Sequence, residues 1–191
     1  MDSQTSPTSQ YGAVAQIFHW LIAIVVLIAF IYGPGGSEHR IYLPARDFDR
    51  QLHETLGVCV FTLAMLRLLW RLTHRPPETQ GPGWMRRAAK IAHGLLYSLL
   101  FLLPITAISG AWLEGHPLTL LAGVQVAAPF GISPDSHDLG AQIAEVHSWL
   151  GDVIMWLAGA HALAAIYHHL MLKDGVLNSM LPSRLQLRSP K

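Results

Sequence analysis

The run AVAQIFHWLIAIVVLIAFIY fills residues 13–32 and holds no charged side chain. A helix crosses the roughly 30 Å hydrocarbon layer of a bilayer in about 20 residues. This run meets that length, and it carries His19 near its start. It has no basic leader and is too long for a secretion signal, so it reads as a retained span. Three further stretches have the same character: residues 52–70, 88–113 and 143–172, the last long enough to project past the hydrocarbon. The chain has 191 residues, 51% of them hydrophobic and only 13% charged, where a soluble domain carries about 25% charged. The expected fold is all-α, an integral membrane four-helix bundle embedded in a lipid bilayer. Disorder is excluded, and a soluble bundle of buried helices is the weaker alternative to a membrane protein. The formal charge of +1 gives no basic excess for nucleic acid. Cys59 is the single cysteine. That excludes a disulfide framework, an all-cysteine zinc site, a thiolate iron–sulfur cluster and haem attached through a Cys-x-x-Cys-His pair.

Four spans put both termini on one side together with the loop after the second span. That side holds Arg67, Arg71, Arg75, Arg86, Arg87, Lys90, Lys173, Arg184, Arg188 and Lys191; the other holds only Arg40, Arg46 and Arg50. The positive-inside bias places both termini in the cytoplasm. Pro76, Pro77, Gly81, Pro82 and Gly83 break the chain between the second and third spans. The outer loops are longer. The apolar segment 118–130 lies in the second of them, and Gly and Pro interrupt it, so it reads as interfacial and not as a fifth span. The organisation expected is a loose polar N-terminal tail over residues 1–10, a four-helix domain over 11–175 and a cytoplasmic tail over 176–191.

Histidine is the anomaly, with 11 residues against 13 Lys and Arg together. Ionisable groups inside a membrane are costly, and each needs a reason. His19, His53, His93, His147 and His161 fall well inside the spans. Span direction sorts them into an outer level, His53 and His147, and an inner level, His19, His93 and His161. His161 follows His147 by fourteen residues, which at about 100° and 1.5 Å per residue puts it near the same helix face and about 21 Å deeper. Two six-coordinate haems need four axial histidines, one pair at each level. Two imidazoles leave no open position for oxygen, which suits electron transfer. Gly57 and Gly151 each lie four residues after an outer histidine, where a missing side chain leaves room for a flat porphyrin. Depth alone leaves either His19 or His93 as the partner of His161. His39, His74, His116 and His137 are read as solvated, and Asp152 either as facing water or as paired with an outer-level group, with Arg50 a candidate.

These residues resemble the bacterial cytochrome b561 family of four-span di-haem b proteins. The matching pieces are Phe18-His19-Trp20, Leu52-His53-Glu54 with Gly57, Arg67-Leu68-Leu69-Trp70-Arg71 with Pro76-Pro77, His93 with Tyr97, His147, His161-Ala162-Leu163-Ala164-Ala165, His168-His169 and Lys173-Asp174. They extend over residues 11–182. The resemblance implies the bacterial inner membrane, two non-covalent haems b and exchange of electrons with ubiquinone. It implies His19 with His161 at the inner haem iron and His53 with His147 at the outer.

His168 lies seven residues beyond His161, near the same face and about 10 Å further in. With His93, it is a candidate contact for a quinone carbonyl near the inner haem. Arg67 and Arg71 are candidate partners of haem propionates. Some relatives oxidise superoxide at the periplasmic face. Here the outer loops hold Glu38, Asp47, Asp49, Glu114, Asp135, Asp138 and Glu145 against three arginines, a poor collector for a small anion. The leading expectation is therefore electron transfer between a periplasmic redox partner and the quinone pool. Superoxide oxidation and a haem-bearing anchor for a periplasmic dehydrogenase stand behind it.

Overall fold

The computed structural model describes residues 10–74, 82–129 and 133–187. The N-terminal tail to residue 9, the Pro76-Pro77 break and the last four residues lie outside the described residues. Four long helices account for most of the chain: α1 (Ala13–Ile31), α3 (Asp47–Thr73), α4 (Gly83–Leu113) and α5 (His137–Tyr167). A short helix, α2 (Glu38–Ile41), lies between α1 and α3, and α6 (Val176–Ser179) follows α5. All four long helices have the length and apolarity to cross a membrane. The fold is the expected all-α bundle, and among the described residues 118–129 make no fifth span. They form a small hairpin of β1 (Leu118–Thr119) and β2 (Gln125–Val126), with Leu118 opposite Val126.

Three helices begin earlier than their apolar runs. In α3 the extra turn carries Asp47, Asp49 and Arg50. Carboxylates there face the positive end of the helix dipole, and polar residues extend a helix into the interface at little cost. α5 likewise opens with Asp138 in its first turn, whereas α4 opens on Gly83, Trp84 and Met85 with no acidic residue there. α1 stops at Tyr32, before Gly33-Pro34-Gly35-Gly36, and Gly36 takes a φ of +119° that a side chain would resist. α5 runs on into a π-helical turn, His168–Leu172, and Lys173 ends it in the left-handed region at φ 51°.

α1 packs along α3, and α4 along α5, with α3 also meeting α4. The interior contains Ile22, Val60, Ala64, Leu99, Leu100 and Ile154, so every long helix contributes. Gly110 and Gly140 bring α4 and α5 together: a Cβ at Gly140 would lie 2.7 Å from the Glu114 nitrogen. Close approach through small residues is how membrane helices gain packing when lipid already solvates their apolar faces. Ile17, Ile31, Leu72, Trp149, Trp156 and Leu163 are exposed. Against water such a surface would drive aggregation; against acyl chains it is matched.

The two ends of the bundle differ. At one end α1 is tied to the C-terminal segment: Gln16 donates through Nε2 to the Ser179 carbonyl at 3.1 Å and the Leu181 carbonyl at 3.2 Å, and Trp20 donates to Met180 at 2.8 Å. We call this the terminal end. At the other, the hairpin end, the Glu54 carboxylate accepts from the Thr119 N–H and Thr55 accepts from the Leu121 N–H at 2.9 Å. Trp112 holds the second strand by donating to the Val126 carbonyl at 3.1 Å.

Candidate functional site

His53 on α3 and His147 on α5 face each other near the hairpin end, their ring centroids 6.0 Å apart and their planes at 86°. Each ring is oriented by a backbone carbonyl. His53 donates from Nδ1 to the Ala29 carbonyl at 2.7 Å, and His147 donates from Nδ1 to the Leu103 carbonyl at 2.9 Å. A carbonyl offers no proton, so Nδ1 carries it in both rings and Nε2 keeps its lone pair. The Ala29 carbonyl is available because α1 ends there: Gly33, which would otherwise donate to it, donates to Phe30 instead at 3.1 Å. Ligating histidines usually hold their second nitrogen in this way.

Two imidazoles bound on opposite sides of one metal ion at about 2 Å each put their ring centroids about 6 Å apart. The observed separation matches. The cleft between the two rings is lined by Gly57, Val58, Pro104, Ala107, Ile108 and Leu118. Its only charged member is Glu54. A Cβ at Gly57 or Gly151 would meet nothing within 4 Å. A flat, apolar, metal-centred group fits this donor set and lining.

Nearer the terminal end three rings gather instead of two. His161 on α5 lies 6.4 Å from His19 on α1 and 5.5 Å from His93 on α4, centroid to centroid. Both separations suit a shared metal ion, so distance does not choose between them. Arg67 on α3 is close enough for its charge to act on all three rings. The Tyr97 ring has the Arg67 and Arg71 guanidinium carbons each 5.6 Å from its centroid. The Tyr97 hydroxyl is buried with no hydrogen-bond partner.

His168 is half-buried in the π turn and donates from Nδ1 to Asp174 Oδ2 at 2.6 Å. Its neighbour His169 is buried, and its Nδ1 has no partner. π-helical turns recur at functional sites.

The hairpin end departs from the sequence reading in two respects. His116 and His137 are not merely solvated: they donate from Nε2 to the two oxygens of Glu38, at 2.7 Å and 3.1 Å. The His116 ring also stacks on Tyr42 at 3.5 Å. The His116 hydrogen bond holds the Glu38 carboxyl below the usual glutamate range, while burial of the Tyr42 hydroxyl pushes it above the tyrosine range. Arg50, for its part, does not reach for Asp152. It is paired with Asp47 at 2.9 Å and Glu54 at 3.1 Å, and Asp152 is exposed. Nearby partners on the same helix win because they cost little extra ordering. No local pattern announces the Glu38 clasp, whose partners lie 78 and 99 residues away.

A bundle of four membrane helices with histidines paired across it near both ends defines a class: multi-pass membrane proteins of electron transfer. The chain belongs to the prokaryotic cytochrome b561 family, whose model matches residues 10–183. Cytochrome b561 homolog 2 of Escherichia coli is 30% identical, over 94% of this chain and 95% of its own. The probable superoxide oxidase CybB of Yersinia pestis is 27% identical, over 92% and 97% respectively. Cytochrome b562 of Cereibacter sphaeroides is 28% identical, over 91% and 96%. Membership implies b-type haem and a bacterial membrane.

Proposed function

We propose that this chain carries electrons across the bacterial inner membrane between a periplasmic donor and ubiquinone, through two non-covalent haems b. The His53–His147 pair would hold one and the His19–His161 pair the other. The observation that carries this reading is the pairing itself: two imidazoles from different helices, 6.0 Å apart, each with Nδ1 committed to a carbonyl. A haem with two imidazole ligands supplies one-electron transfer with no open site for oxygen. The protein's part is to fix each Nε2, to line the hairpin-end cleft with apolar side chains and to keep water from the rings. His147 and His161 share α5 fourteen residues apart, so the two levels are about 21 Å apart along that helix.

At the terminal end His93 and His168 are the candidate quinone contacts. With Nδ1 given to Asp174, His168 retains Nε2 for a carbonyl or a proton. The excess of basic residues toward the terminal end supports a cytoplasmic terminal end and a periplasmic hairpin end in this reading.

A second reading, superoxide oxidation, is favoured by the likeness to a probable superoxide oxidase. The hairpin end argues against it as the principal activity. Arg46 is neutralised by Asp49 at 3.2 Å, and Arg50 by Asp47 and Glu54. That leaves Arg40 against Glu38, Glu114, Asp138 and Glu145 at that end, a weak field for gathering an anion.

A reduced-minus-oxidised optical spectrum of the purified protein, with haem quantitation as the pyridine complex, tests the proposal. Two low-spin haems b per chain are expected. A chain without haem would overturn it.

A further inference from the structure

The Tyr97 hydroxyl is buried and makes no hydrogen bond among the described residues. A buried hydroxyl without a partner is destabilising, so such groups normally have one. Two guanidinium groups flank its ring, Arg67 half-buried and Arg71 exposed. Among the described residues neither has an acidic side chain in an ion pair, in contrast to Arg46 and Arg50 at the other end. A partly buried cation left uncompensated is strongly destabilising. The three groups lie at the level of His19, His93 and His161, and Arg67 acts on all three rings. Two forked cations and one hydroxyl donor, lacking an acceptor, make a site for a carboxylate. The flat group expected between those rings would carry carboxylates on its edge.

We propose that Arg67, Arg71 and Tyr97 bind a propionate carboxylate of the haem at His161, with Arg67 its principal charge partner and Tyr97 donating a hydrogen bond. They act as positioning residues, and they raise the reduction potential of that haem by neutralising an anion beside its iron. This rests on the two-haem reading above. A phosphate from a lipid headgroup is the other anion of suitable chemistry, and the test separates the two.

The test is a spectroscopic redox titration of the holoprotein in nanodiscs, after haem content has been counted. His53→Ala, which should retain only the haem at His161, assigns the potentials. Arg67→Gln should lower the midpoint of the His161 haem and leave the His53 haem unmoved, because an uncompensated carboxylate favours the oxidised iron. Tyr97→Phe should lower it less, and Arg67→Lys should restore most of the shift. The redox-induced infrared difference spectrum should show a displaced carboxylate band in Tyr97→Phe. If Arg67→Gln sheds the haem, Arg67→Lys and Tyr97→Phe carry the same reading. Unchanged midpoints and an unchanged carboxylate band, with both haems retained, would overturn the propionate site and leave the two-haem reading standing. So would an Arg67→Gln shift present in phospholipid nanodiscs and lost in a phosphate-free detergent, which would mark a lipid phosphate. A wild-type chain without haem would remove both.

Discussion

The Nδ1 protons of His53 and His147 are committed to helix carbonyls, so only Nε2 is left on either ring for a metal. Removing either ring should have one consequence. His53→Ala and His147→Ala are each expected to abolish the same haem band while the other persists, measured by haem count and difference spectrum. The His161 trio is asymmetric in a way that substitution can resolve. If His19 is the ligand, His19→Ala removes the second haem and His93→Ala keeps it, with an altered response to added quinol. The reverse pattern would assign His93 to the iron.

At the scale of elements, α4 and α5 meet through glycine. Gly140→Val places new atoms against the Glu114 backbone, which cannot retreat as a flexible side chain can. A loss of about 1–3 kcal/mol is expected, read as a lowered thermal midpoint in detergent, by analogy with other overpacked sites. The Glu38 clasp joins the connection between α1 and α3 to both ends of the connection between α4 and α5. Its carboxyl is held below the ordinary value of 4.5, first by the His116 hydrogen bond. The sign follows from linkage. A depressed carboxyl contributes stability above its unfolded value, and that contribution is lost as pH falls through the folded value. Proteolysis of the outer segments should therefore rise at acid pH, below the usual carboxylate range, and Glu38→Gln should flatten that dependence. An acid limb unchanged in Glu38→Gln would show that the clasp does not hold these segments.

For the whole molecule, orientation and surface charge decide which donors are accepted. The terminal end carries the basic residues, so a fluorescent-protein fusion at the C-terminus should glow and an alkaline phosphatase fusion there should be inactive. At the hairpin end Arg46 and Arg50 are already paired with nearby carboxylates, and Asp138 and Glu145 stand exposed. Reduction of the haems by superoxide should accordingly rise or stay level as ionic strength increases, because salt screens repulsion. A steep fall with salt would reveal attractive steering and favour superoxide as the natural donor.

The spans and their order were legible in the chain itself, and so was the grouping of His53 with His147 and of His161 with His19 and His93. Each depends on a local quantity: a run of about 20 apolar residues, a helical repeat of about 3.6, or a count of charges at span ends. The paired Gly57 and Gly151 were legible for the same reason. What the sequence could not settle was which groups meet across helices. His93 joins His161 at 5.5 Å, nearer than His19 at 6.4 Å, although depth alone ranked neither. His116 and His137 were read as solvated, yet both close on Glu38. Arg50 ignored Asp152 for partners within four residues. The orphaned Tyr97 hydroxyl had no local signature at all. Periodicity and hydropathy are properties of one helix and its solvent. Contacts between helices depend on rotation about each axis and on where loops return, and those are decided only when all four helices pack together.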